Sequence, residues 1–167
     1  MRRLRARVLL ALVVAWPAVA DAADRDLLAR MDHLATHYHE DSARLDAGRA
    51  ELEQTVAAEP SVPAMAMLAR ITYIWGDVRA TTRDDKLAAY DRGRQVADLA
   101  YQRDPKSADA RFWRAVNLGR WAELKGVFQA LREIRILRDE MNAILREHPN
   151  YTSAYSFLGN YYYQVPG

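Results

Sequence analysis

From Asp24 onward the chain alternates apolar and polar residues at helical spacing, with little period-two patterning. The spacing predicts a first helix from near Asp24, with Leu27, Met31, Leu34 and Tyr38 on one face and Leu28 and Ala35 beside them. After a break at Glu40-Asp41-Ser42, a second helix carries Leu45, Gly48, Leu52 and Val56 and stops before Pro60. That stop recurs. Glu59-Pro60, Asp104-Pro105 and His148-Pro149 each close an amphipathic run, and the three prolines stand 45 and 44 residues apart. Equally spaced stops of the same kind mark an internal repeat.

Counting back 15, 12, 8 and 5 residues from each proline finds an inner stripe of small or apolar residues. The stripes are Leu45, Gly48, Leu52 and Thr55; Tyr90, Gly93, Ala97 and Ala100; and Ile134, Leu137, Met141 and Ile144. This pattern predicts the second helix of a tetratricopeptide-type hairpin, in which a small residue lets the paired helix approach. The expected fold is all-α: an antiparallel helix-hairpin solenoid over residues 23–167, with units ending near 60 and 105 and an incomplete unit from 150. The period exceeds the usual 34 residues. The excess is expected as extended helix ends and longer connections at Gly76–Asp84 and about Gly119–Gln129. The last helix, Thr152 to about Gln164, carries Tyr155, Leu158 and Tyr162 on its expected pairing face. An apolar stripe there points to a further helix in a longer chain, to a cap from another chain, or to a helix that itself caps its neighbour. Tyr161 and Tyr163 would add a contact patch on the other side.

The N-terminal segment has another character. Arg2, Arg3, Arg5 and Arg7 precede an apolar run from Val8 to Ala20, shorter than the ~20 residues a bilayer core requires. The run ends in Ala18-Val19-Ala20-Asp21-Ala22. Residues 1–22 therefore read as a secretory signal peptide, cut after Ala22 or Ala20, against the alternative of an uncleaved anchor. The expected product is a periplasmic protein with no stable membrane anchor. It is not a lipoprotein, because the chain has no cysteine to acylate.

This changes the meaning of the charge. The sequence pI is about 9.0 and the formal charge +2. Removal of residues 1–22 takes away four arginines and Asp21, leaving 20 basic and 21 acidic residues. No basic cluster of the kind that displaces counterions from nucleic acid remains, so a nucleic-acid partner is not expected. Zero cysteines also exclude disulfides, thiolate metal sites and a cysteine nucleophile.

Residues Tyr90 to Pro105, continued by Ala108-Asp-Ala-Arg-Phe112-Trp113-Arg-Ala115-Val-Asn117-Leu-Gly119-Arg120-Trp121 and on to Gly126, carry a family resemblance. So do Leu158-Gly159 and Val165-Pro166-Gly167. Over roughly residues 64–167 the chain resembles the T-component of tripartite ATP-independent periplasmic (TRAP) transporters. It is also similar to the regulator of microtubule dynamics proteins, which share a helical-repeat core. The resemblance implies no enzymatic activity and no cofactor. For the T-component it implies a periplasmic solute-binding protein as partner and apolar clefts for small ligands. The export signal favours the bacterial branch.

Tyr73, Trp75, Phe112, Trp113 and Trp121 fall on expected first helices, which line the concave face of such solenoids. There they either fill the core or wall a groove for a partner peptide or small apolar ligand. Arg70, Asn117 and Arg120 lie among them. Arg70 is expected to pair with Asp77 or Asp91, and Arg120 with Glu123 at i,i+3; either arginine could instead read a ligand carboxylate. The expected groove thus comprises Arg70, Tyr73, Trp75, Trp113, Asn117, Arg120 and Trp121. Its occupant is a protein partner or a small apolar or carboxylate ligand, and an oligomer is compatible with the same surfaces.

His33 and His37 stand at i,i+4, with His39, Glu40 and Asp41 close behind. That spacing suits a zinc or nickel pair, but no HExxH motif accompanies it, and a solvated polar face is the simpler account. No GxSxG, phosphate loop or dinucleotide fingerprint appears. Ser107 reads as a helix N-cap, and His148 as a helix C-terminal residue.

Overall fold

The structure, a computed structural model, describes residues 16–164. Seven helices run as antiparallel neighbours: α1 (Trp16–His37), α2 (Arg44–Ala58), α3 (Val62–Val78), α4 (Arg83–Arg103), α5 (Ala108–Lys125), α6 (Val127–Glu147) and α7 (Thr152–Gln164). No strand occurs among the described residues. The first helix extends back beyond Asp24, because Ala18, Ala20, Ala22 and Ala23 are strong helix formers. Most of the segment read as a signal peptide, residues 1–15, lies outside the described residues; its last part continues into α1. None of the described helices is long and apolar enough to cross a membrane.

The three proline stops are three equivalent structures. Glu59, Asp104 and His148 have extended φ values of −141°, −141° and −130°, as the residue before proline prefers. Each donates its backbone N–H to the carbonyl four residues back: Thr55 at 2.8 Å, Ala100 at 2.9 Å and Ile144 at 2.7 Å. Three helix starts carry side-chain caps. Ser61, Thr82 and Ser107 side chains accept from the N–H groups of Ala64 (3.3 Å), Asp85 (3.1 Å) and Ala110 (3.3 Å). The inner stripes also hold. Leu45, Gly48, Leu52, all four of Tyr90, Gly93, Ala97 and Ala100, and Leu137, Met141 and Ile144 are buried; Thr55 and Ile134 are partly so.

The expected extension of the helix ends holds, but the connections are short. Only residues 79–82 separate α3 from α4, and Gly126 alone separates α5 from α6. Gly126 has φ +127°, a region that glycine enters without strain. The stretches expected to hold the extra length are mostly extended helix ends. Gly76 is inside α3: a Cβ there would stand 2.8 Å from Tyr90 Cε1.

Two apolar clusters form the interior. One joins α1 to α4 and the start of α5 through Leu27, Met31, Leu45, Leu52, Leu68, Val96 and Ala110. The other joins α5 to α7 through Phe112, Leu137, Met141, Ile144, Ala154 and Leu158. Full burial of such side chains contributes roughly 1.5–3 kcal/mol each. α7 packs inward through a face beside the stripe expected to pair with a further helix. Ala154 and Leu158 are buried and Phe157 packs with them, whereas Tyr155 and Tyr162 are exposed.

Candidate functional site

The first helices of the hairpins bring together part of the expected groove. Tyr73 on α3 and Trp113 on α5 meet with ring centroids 5.8 Å apart. On one side of this pair, Arg70 lies over Trp113 at 5.7 Å and donates to Asp32 of α1 at 2.6 Å. A hollow of about 280 Å³ opens there, floored by Leu28, Ala66 and Met67. The partner of Arg70 is thus Asp32, not Asp77 or Asp91. Asp32 is 38 residues away and reaches it because α1 packs on α3.

On the other side, a cleft of about 310 Å³ lies between α3, α5, α6 and α7. Val116, Ala130, Ile134, Leu137 and Phe157 give it an apolar lining, and Tyr73, Arg120, Glu123, Glu133, Asn160 and Tyr161 supply its polar groups. Asp77 organises that end. It accepts from the Tyr90 hydroxyl at 2.5 Å and from Arg120 Nη2 at 2.7 Å. Arg120 Nη1 donates to Glu123 at 2.7 Å, the pair expected from i,i+3 spacing. Burial works against the Arg120 charge, but the hydrogen bond and charge of Asp77 outweigh it and raise its pKa. Burial, reinforced by the charge of Asp77, pushes the Tyr73 hydroxyl up to about 12. Tyr90 is raised likewise by burial, then by its bond to Asp77. These hydroxyls stay protonated and act as donors at neutral pH.

The remaining expected groove residues lie elsewhere. Asn117 is fully buried; its Nδ2 donates to the carbonyls of Trp113 (2.8 Å) and Ala69 (3.2 Å), tying α5 to α3. Its amide sits against Gly93 of α4, where no side chain intervenes. Trp75 faces α2: its indole N–H donates to Asp46 at 2.6 Å and Arg49 lies over the ring at 4.3 Å. Trp121 carries Lys125 over its ring at 5.3 Å. So Arg70, Tyr73, Trp113 and Arg120 share one face, while Asn117, Trp75 and Trp121 do not line either hollow.

In the histidine cluster, the His33 and His37 rings stack with centroids 4.2 Å apart, and His37 Nδ1 lies 3.1 Å from the His33 carbonyl. Asp41 accepts from the Ala43 N–H at 3.1 Å, and Glu40 is exposed in the same turn. No group of three or more His, Asp or Glu side chains among the described residues could hold a metal ion. His148 reaches back across a unit, its Nε2 2.9 Å from the Lys106 carbonyl. A carbonyl only accepts, so Nε2 carries the proton.

Sequence reasoning missed the contributions of α6 and α7 to the cleft, and it missed Tyr151. That residue packs on Phe112 with centroids 5.4 Å apart and donates to Asp109 at 2.7 Å.

A family model described as regulator of microtubule dynamics protein 1-3 matches residues 27–166. The chain belongs to this family. The match begins at Leu27, a buried residue of α1, and takes in α2 to α7 whole, so the family unit here includes both apolar clusters and the cleft between α3, α5, α6 and α7. It extends the resemblance noted from residue 64 back across the first hairpin. No curated protein and no solved structure matches the chain.

Proposed function

We propose that this member of the family is a non-enzymatic binding module, built as a hairpin solenoid whose first helices face a partner protein. The observation that carries the reading is the apolar cleft of about 310 Å³ beside the Tyr73–Trp113 pair. Its volume suits one or two large side chains of a partner segment, and its few polar groups would orient them. The charge balance refines the ligand class. Both terminal nitrogens of Arg120 are already bonded to Asp77 and Glu123. A ligand carboxylate would have to displace one of them, whereas Glu123 and Glu133 leave the rim acidic. An apolar side chain flanked by Lys or Arg fits better than a free carboxylate.

The test is to fill the cleft. Ala130→Trp places an indole among Ile134, Leu137 and Phe157, and Gln102→Trp on the exposed side of α4 is the control. After in-cell crosslinking, partners recovered with wild type and control should be lost with Ala130→Trp, while circular dichroism stays unchanged. Recovery of the same partners by all three would remove the cleft from consideration. Native mass spectrometry of the purified protein tests the alternative of a small apolar ligand.

Export to the periplasm and a T-component-like role beside a solute-binding protein form a second reading, favoured by the Arg-rich start and apolar run of residues 1–20. The family's name makes microtubules the competing partner. A reporter fused after residue 40 and active only outside the cytoplasm would support export. Cytoplasmic retention would remove this second reading.

A further inference from the structure

The N-terminal half of α6 presents an outer face that the cleft does not use. Phe128 is 92% exposed, Val127 72% and Leu131 62%. Along the helix, Val127, Leu131 and Arg135 follow at i, i+4 and i+8, and Phe128 and Arg132 at i and i+4, so apolar and cationic side chains share one surface. Phe128, Arg132 and Arg135 lie on the side of α6 away from the buried Leu137, Met141 and Ile144. Arg132 and Arg135 are exposed and make no hydrogen bond or ion pair among the described residues. Lys125 adds a third cation at the α5–α6 corner. Of the acids nearby, Asp139 accepts from Arg138 and Glu123 from Arg120, while Glu133, held only by the neutral Gln129 amide at 2.8 Å, keeps its charge on the cleft side of α6. The face is therefore apolar at its tip and positive around it.

We propose that this face docks on an anionic lipid surface, with Phe128, Val127 and Leu131 entering the headgroup boundary and Lys125, Arg132 and Arg135 resting on lipid phosphates. Amphipathic helices with aromatic and aliphatic residues interleaved with Lys and Arg bind interfaces in this way. The shape favours lipid over a protein segment. The surface is a ridge on one helix with its largest side chain at the tip. A partner helix needs a groove, whereas a fluid headgroup layer closes around a projection. The proposal is independent of the cleft, which lies on another side of α6.

The test uses the full chain and sedimentation with vesicles of phosphatidylglycerol and phosphatidylcholine, against phosphatidylcholine alone. Binding should require phosphatidylglycerol and weaken with salt. Arg132→Glu with Arg135→Glu should lower the partition coefficient at least about thirtyfold, from the loss of two cations at roughly a factor of five each, with repulsion by the new carboxylates adding to it. Phe128→Ala should lower it about tenfold. All three positions are exposed, so circular dichroism and melting should not change. An indole placed by Phe128→Trp should shift its emission to the blue on vesicles, measured as the difference from wild type. Equal binding by wild type and the charge-reversed variant would assign the affinity to the apolar run of residues 8–20 and overturn the proposal. An unshifted indole, or tight binding of an acidic amphipathic peptide without binding to vesicles, would overturn it as well.

Discussion

Gly93→Ala sets two effects of opposite sign against each other. In an exposed helix interior, replacing Gly by Ala stabilises by about 1 kcal/mol. At residue 93 the new methyl group would lie 2.6 Å from Asn117 Cγ and 2.9 Å from Nδ2, and closer still to Oδ1. Asn117 is not a flexible surface end. It is fully buried, and its Nδ2 is bonded to the carbonyls of Trp113 and Ala69. If the helices part to admit the methyl, overpacking costs about 1–3 kcal/mol. If the amide turns away instead, a buried donor loses its acceptors at about 1–3 kcal/mol. Because Asn117 is held from two sides the cost lies in the upper part of that range, and against the gain of about 1 kcal/mol the net effect is about 1–2 kcal/mol destabilising. Urea unfolding followed by circular dichroism should show this, and Tm should fall by roughly 2–8 °C for a chain of this size. In Gly93→Ala with Asn117→Ala the clash is gone, so the pair should cost less than the sum of the single variants. A Gly93→Ala protein as stable as wild type would refute the account of Asn117 as a fixed wedge.

Other outcomes follow from the same contacts. Gly126→Ala, at φ +127° with open space around it, should cost about 1–2 kcal/mol through backbone strain alone. Gly159→Ala, in α7 with nothing within 4 Å, should stabilise by about 0.5–1 kcal/mol; both are read by denaturant midpoint. Arg111 is 7% exposed and donates to Glu140 at 2.7 Å, with Glu147 at 3.1 Å, so Arg111→Ala should cost about 3 kcal/mol, whereas Arg30→Ala on an exposed pair should leave the midpoint unchanged. Burial raises Tyr73 from 10.0 to about 12 and raises Tyr90 and Tyr151 in the same direction. Above pH 10 the unfolded chain then releases these protons first, so stability should fall between pH 10 and 12. A chemical-denaturation series across that window, flat in its midpoint, would refute the burial of these rings.

The proline stops and inner stripes were legible because both act locally. Proline restrains the residue before it whatever packs nearby, and a stripe at fixed offsets needs only helical period. How short the connections are was not legible, for the same reason turned round. Gly76 and Gly119 open the stretches expected to hold extended helix ends and longer connections, and both sit inside helices. At Gly76 the absent side chain makes room for Tyr90, a residue 14 positions on. A glycine that breaks a helix and one that lets a neighbour approach look alike until the neighbour is known. On α7, Tyr155 and Tyr162 have the spacing of a face that pairs with a further helix and both are exposed, whereas the inward face of Ala154, Phe157 and Leu158 is one that spacing alone did not single out.

The arginines show how much of the candidate site the sequence could hold. Arg120 was singled out through Glu123, three residues along the same helix, and that pair is present. Its stronger constraint, Asp77, comes from 43 residues away and was assigned to Arg70 instead. Arg70 in turn takes Asp32 from α1. Arg111, the most buried of these, was passed over because Glu140 and Glu147 stand on α6, beyond any local pattern. Each pairing spans one hairpin or more, so it exists only once the helices are stacked. Sequence could nominate charged residues among apolar neighbours, but which of them keeps a free charge for a ligand is decided by the stacking. In the cleft the stacking commits Arg120 to Asp77 and Glu123, and on the outer face of α6 it leaves Arg132 and Arg135 unclaimed.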